Sequence, residues 1–131
     1  MGYFQSETGN PVTEAVRRND QSGLVIAIAG GVDVNMRGYR GRTALHYAAA
    51  LKQSTIVSML LSAGAFPSPA DDDGFTPLHR AVQHRSVEIV EALVRAGADP
   101  FKLAHDGSTP ISRAESSGDP RMLTLLWRAR H

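Results

Sequence analysis

Apolar residues recur along this chain in short bursts at three- and four-residue steps. Leu45, Ala48 and Ala49 form one burst, and Ile56, Val57, Leu60 and Leu61 form the next. That spacing places them on one face of a helix. The pattern predicts helix pairs over 43–51 and 54–63, 76–84 and 87–95, and 109–116 and 121–130. In the last of these, Met122, Leu123, Leu126 and Trp127 make the apolar stripe, with Trp127 expected to lid the core at that end. At the front, Pro11 opens a short helix to about residue 18, since proline is tolerated in a first turn, and Val12, Ala15 and Val16 supply its apolar side. Asp20-Gln21-Ser22-Gly23 reads as a turn, and 117–120 (Ser-Gly-Asp-Pro) as another. Residues 24–29 are a continuous, partly β-branched apolar run that, taken alone, reads as a strand.

A shift of 33 residues lays the chain on itself. Thr43-Ala44-Leu45-His46-Tyr47-Ala48, Thr76-Pro77-Leu78-His79-Arg80-Ala81 and Thr109-Pro110-Ile111-Ser112-Arg113-Ala114 fall in register. So do Gly31, Gly64 and Gly97, and so do Gly41, Gly74 and Gly107. Several markers in one register define a repeat array, because each unit must offer the same faces to its neighbours. The register also decides the ambiguous segment. Residues 24–29 align with the second helix of each later unit, so they are expected to be helical and to end at Gly30-Gly31. Thr76 before Pro77 suits an N-cap followed by proline at the first helical position, and Gly97 suits a left-handed helix stop. Small Ala48 and Ala81 let paired helices approach closely.

At these residues the chain resembles the ankyrin repeat family, whose units carry a T-P-L-H-x-A motif in a turn followed by two helices. Asp73-Gly74-x-Thr76-Pro77-Leu78-His79, Ile89-Val90 and Ala96-Gly97-Ala98-Asp99 make a near-ideal unit. Elsewhere Ala44 stands for the proline and Ser112 for the histidine, and the first unit keeps mainly Pro11, Ala15 and Gly31-x-Asp33-Val34-Asn35. The Phe66-Pro67-Ser68-Pro69 loop is unusual for the family. The resemblance implies an all-α solenoid of four stacked helix-turn-helix units with projecting turns and degenerate terminal units. The expected units are 1–36, 37–70, 71–103 and 104–131, in one domain over 1–131. It further implies that His46 and His79 are structural, tying turns together by hydrogen bonds.

The resemblance also implies a protein-interaction module without catalysis, gripping a partner with its finger-like turns and a concave face lined by the first helices. The matching positions here are Arg37, Tyr39, Arg40, Arg42, Asp72, Asp73, Phe75, His105, Asp106 and Ser108 on the turns, and Ala50, Leu51, Gln83, His84 and Ser116 on the helices. Tyr39, Phe75 and the arginines are the expected anchors, since aromatic and arginine side chains dominate interface hot spots. A second reading is that Arg40 and Arg42 simply pair with Asp72 and Asp73 of the next finger, which contributes at most about 1 kcal/mol when exposed. The runner-up function is a small inhibitor or immunity-type protein that blocks a partner enzyme or toxin. A cryptic enzyme site and nucleic-acid binding through Arg37, Arg40 and Arg42 rank below it.

Composition narrows the chemistry. The formal net charge is +1, so no overall field selects nucleic acid or an anionic membrane. There is no cysteine, which removes disulfides, thiolate catalysis and thiolate metal ligation. Asp71-Asp72-Asp73-Gly74 resembles the start of a calcium loop, but the position that needs an acidic ligand holds Val82, so a solvated turn is expected instead. His79 and His84 are five apart and lie on different helix faces, unsuited to share a metal. No phosphate loop, H-E-x-x-H or G-x-S-x-G pattern occurs, so no catalytic, cofactor or metal residue is assigned. The longest apolar run is too short to span a bilayer and no signal peptide opens the chain, so the expected compartment is the cytoplasm. Gly2 with Ser6 fits the loose acylation pattern, but bulky Tyr3 fits it poorly. Tyr3 and Phe4 are read as an arm covering the apolar first unit. The expected state is a monomer, with self-association through that unit as the alternative.

Overall fold

The computed structural model describes residues 10–129. Eight helices and no strand occur among them: α1 (Pro11–Arg17), α2 (Gln21–Ala29), α3 (Ala44–Ala50), α4 (Ser54–Ser62), α5 (Pro77–Gln83), α6 (Val87–Arg95), α7 (Pro110–Ser117) and α8 (Pro120–Arg128). Each odd helix packs on the even helix that follows it. α1, α3, α5 and α7 stack in sequence as an inner layer, and α4, α6 and α8 stack as an outer layer. The loops before α3, α5 and α7 project as fingers, the first carrying a short 3-10 turn at Tyr39–Gly41. Tyr3 and Phe4, expected to form an arm, and Gly2 lie outside the described residues.

The repeated threonine starts each inner helix. Thr76 Oγ1 accepts from the His79 backbone N–H, and His79 Nδ1 accepts from the Thr76 N–H at 3.1 Å. Thr43 with His46 and Thr109 with Ser112 form the same reciprocal box. Histidine thus takes the place glutamate or glutamine holds in the usual box. The other ring nitrogen reaches the next finger: His46 Nε2–H donates to the Phe75 carbonyl at 2.8 Å, and His79 Nε2–H to that of Ser108 at 3.3 Å. One histidine therefore ties two units, as the family resemblance implied, and also closes a helix end. Ser112 keeps only the local half, through its Oγ and the Thr109 N–H.

The core runs the length of the stack. Ala48, Ala81 and Ala114 are fully buried at equivalent positions, and Leu45 and Leu78 fill the space beside them. On the outer helices Ile56, Val57, Leu60, Ile89, Val90, Leu93, Met122 and Leu126 are buried. Between the two helices of each unit, Asn19, Lys52, Arg85 and Gly118 all take positive φ. These positions are again 33 apart, a regularity the sequence carries but that only the backbone makes visible.

Three expectations need correction. α2 begins at Gln21, not after Gly23, because the Asp20 carboxylate accepts from the Gly23 N–H and caps the helix. Gly23 sits so close to that carboxylate that a Cβ there would lie 2.4 Å from Asp20 Oδ2. Pro120 does not end a turn but starts α8, with Asp119 as its cap. Trp127 does not lid the core: it is 41% exposed and meets the Phe101 ring edge-on at 5.8 Å, while Met122 and Leu126 close the interior. The helical reading of 24–29 holds. Leu24 and Ala27 point inward, whereas Val25 and Ile26 are 54% and 72% exposed.

Candidate partner-binding surface

The fingers are joined to each other by backbone and side-chain bonds that follow the repeat. The Asp72 N–H donates to the Arg40 carbonyl and the His105 N–H to the Asp73 carbonyl, both at 2.9 Å. Arg37 donates to the Gly41 carbonyl at 2.9 Å and to the Ala70 carbonyl at 2.6 Å, so it staples its finger to the next one. Gly41 is required at one crossing point: its φ is +71°, and a Cβ would lie 2.5 Å from Asp72 Oδ1. Asp72 itself is exposed and packs over that glycine.

The charged residues divide between pairing and free display. Arg40 binds Asp73 at 2.9 Å, as the pairing alternative expects, and the hydrogen bond holds the Asp73 carboxyl below its ordinary range. Arg42 does not pair with Asp72. Its Nε lies 3.9 Å from Asp71 Oδ2 and, although buried, has no hydrogen-bond partner among the described residues. Asp106 accepts from the Ser108 hydroxyl at 2.6 Å, the Ser108 N–H at 2.9 Å and Arg113 at 2.9 Å. Those bonds, the Ser108 hydroxyl first, pull its carboxyl down to about 2.

Asp71 overturns the solvated-turn expectation for its own position. Its carboxylate is fully buried; Oδ1 accepts from the Asp73 and Phe75 N–H groups, and Oδ2 lies 3.2 Å from Arg80. An acidic triplet gives no sequence cue as to which member turns inward. Asp71 is the one that can serve as an internal turn cap, because the next residues' amides curl back over it. Among the described residues no group of three or more His, Asp or Glu side chains is arranged to hold a metal ion. No helix there is long and apolar enough to cross a membrane.

The aromatic residues differ from one another. Tyr39 is 48% exposed, with the Arg42 guanidinium 5.8 Å above its ring. Phe75 is half-buried, with the Arg80 and Arg113 guanidinium groups 4.8 and 5.0 Å from its ring and His79 edge-on at 5.5 Å. It is a packing residue as much as a surface one. Gln83 is exposed on α5, and His84 is half-buried at the end of that helix. His105 is exposed at the tip of its finger.

Two grooves run along the inner face. One, of about 560 Å³, is lined by Arg17, Tyr39, Arg42, Tyr47, Ala50 and Leu51. The other, of about 460 Å³, includes Gln83, Arg85, Ser108, Arg113 and Ser116. The first brings together Tyr39, Arg42, Ala50 and Leu51 and the second Gln83, Ser108 and Ser116, whereas Arg37, Arg40, Asp72, Asp73, Phe75, His84, His105 and Asp106, also singled out from the sequence, line neither. Arg17, Tyr47, Arg80 and Arg113 belong to the same face and are absent from the sequence-derived set. The register would have found them, since Arg17, Ala50, Gln83 and Ser116 form one row and Tyr47, Arg80 and Arg113 another. On the outer layer, Val25, Ile28, Ala29, Met59 and Ala63 line a third, apolar groove of about 560 Å³ between α2 and α4.

A family model described as ankyrin repeats, in three copies, matches residues 12–104. A stretch of 60 residues is 38% identical to part of an ADP-ribosylation factor GTPase-activating protein of Arabidopsis thaliana. The match takes in 46% of this chain and only 8% of that protein, so the likeness is confined to a small part of the relative. Domains of this kind are in general non-catalytic surfaces for protein–protein interaction. The all-helical stack, the threonine–histidine boxes that link its units and the family match together show that this chain belongs to the ankyrin-repeat family.

Proposed function

We propose that the chain binds a cytoplasmic protein partner with its finger loops and inner helical face, and performs no chemistry of its own. The observation that carries this reading is the rigidity of that face. The bonds between neighbouring units, from Asp72 to Arg40, His105 to Asp73, Arg37 to Ala70 and His46 to Phe75, hold the fingers in fixed relation before any partner arrives. A preorganised surface loses little conformational entropy on association. Tyr39 and Leu51, each about half exposed, supply apolar anchors, and the mixed charges of Arg40, Asp72, Asp73, His105 and Asp106 supply orientation. Asp72, which makes no ion pair among the described residues, is the acidic tip left for a partner.

Affinity capture from the native host, read by mass spectrometry, tests this with paired surface variants. Tyr39→Ala combined with Leu51→Asp should lose the captured protein while keeping the helical signal. Arg121→Ala, on α8 of the outer layer, should retain it. Loss with the outer-layer variant and retention with the inner-face pair would refute the assignment.

A further inference from the structure

The groove between α1, α3 and the first finger is electrostatically unfinished. Arg17 is exposed and makes no ion pair among the described residues, while its neighbour Arg18 takes Glu14 at 3.0 Å. Among the described residues Arg42 has one carboxylate within ion-pair reach, Asp71, at 3.9 Å and without a hydrogen bond. That carboxylate is already occupied by two backbone N–H groups and by Arg80. Among the described residues no acidic side chain lines the groove, and Lys52, exposed beside Leu51, makes no ion pair there and adds a further cation. The rest of the lining is amphipathic, from Tyr39, Tyr47 and Ala50 to Leu51, which is 50% exposed.

We propose that this groove receives an acidic segment of the partner protein, with an Asp or Glu carboxylate set against Arg17 and Arg42 and an adjoining apolar side chain on Ala50 and Leu51. The proposal rests on the protein-binding reading and narrows it to one groove and one peptide chemistry. A carboxylate fits because planar guanidinium groups bind it with directed, charge-assisted hydrogen bonds. The Arg42 Nε faces Asp71 and is closed to solvent, so the carboxylate would meet the terminal guanidinium nitrogens of a side chain that is 27% exposed. A nucleic acid fits less well. The net charge is only +1, and Asp72 and Asp73 on the adjoining finger would repel a polyphosphate.

Selection of a random dodecapeptide display library on the immobilised chain provides the test. The selected peptides should be enriched in Asp or Glu next to Leu, Ile or Phe. Binding of the best peptide, measured by fluorescence anisotropy, should weaken by about tenfold in Arg42→Gln. In Arg17→Gln it should weaken by roughly three- to tenfold, because that side chain is more exposed. Arg17 makes no ion pair among the described residues, so its variant should melt as the parent does and keeps the test independent of folding. Arg121→Gln should bind as the parent does. Peptides without acidic enrichment, or acidic peptides indifferent to Arg17→Gln, overturn the groove assignment while leaving the wider protein-binding reading intact. An oligothymidylate that binds more tightly than the best peptide and is lost in the same variants overturns it in favour of nucleic acid.

Discussion

His46 couples the stability of the stack to pH. Its ring is 1% exposed, and burial drives its pKa from the ordinary value near 6.5 down to about 4, against a smaller opposing effect of the hydrogen bond to the Phe75 carbonyl. The geometry explains why the neutral form is required. Nε2 carries the proton donated to Phe75, and Nδ1 must stay bare to accept the Thr43 N–H at 3.0 Å. A second proton on Nδ1 would set two donors against each other. The unfolded chain therefore takes up a proton that the folded chain refuses between pH 6.5 and about pH 4. The stabilisation is complete above pH 6.5 and is lost as the pH falls through that window. Between pH 7 and pH 5 this one residue should cost about 2 kcal/mol. His79, also lowered by burial first, adds a loss of the same sign. The bonds that lower Asp73 and Asp106 matter only at more acidic pH, since those carboxyls start from 3.8. Urea unfolding followed by circular dichroism at pH 7 and pH 5 measures the loss. In His46→Gln, where the amide oxygen can still accept from Thr43 and nothing titrates, the pH-dependent loss should shrink by about 2 kcal/mol. An unchanged loss in that variant, or a His46 ring that titrates near 6.5 by NMR, would refute the reasoning.

Other substitutions probe the remaining links. Asp71→Ala should destabilise by about 3 kcal/mol in denaturant melts, because it strips a buried acceptor from two amides and a counter-ion from Arg80. Leu78→Ala should cost roughly 2–5 kcal/mol by opening a cavity at a fully buried position, and a near-neutral result would contradict the inner-helix register. Phe75→Ala should cost about 2 kcal/mol, whereas Tyr39→Ala should leave the melting curve nearly unmoved, since only Phe75 is clamped by two guanidinium groups and a histidine edge. Arg85→Gly should stabilise by about 0.5–1 kcal/mol by relieving a left-handed conformation at φ +57°, the role glycine already fills at Gly118. Equal or lower stability would show that the arginine side chain repays its backbone strain.

The sequence by itself determined the register, the helix pairs and the threonine that starts each inner helix. A stack of equal units repeats the same contact at the same interval, so its constraints are written as periodicity. That periodicity was strong enough to turn the strand-like run at 24–29 into a helix. The tertiary structure decided what depends on angles between units. It chose Asp71 over its two neighbours for burial, gave Arg42 a distant share of that carboxylate instead of Asp72, and folded Phe75 between Arg80 and Arg113. It also turned Trp127 toward Phe101, away from the core. Each choice is made by side chains meeting across a gap set by the packing of one unit on the next, and distances across that gap leave no trace in the order of residues along the chain.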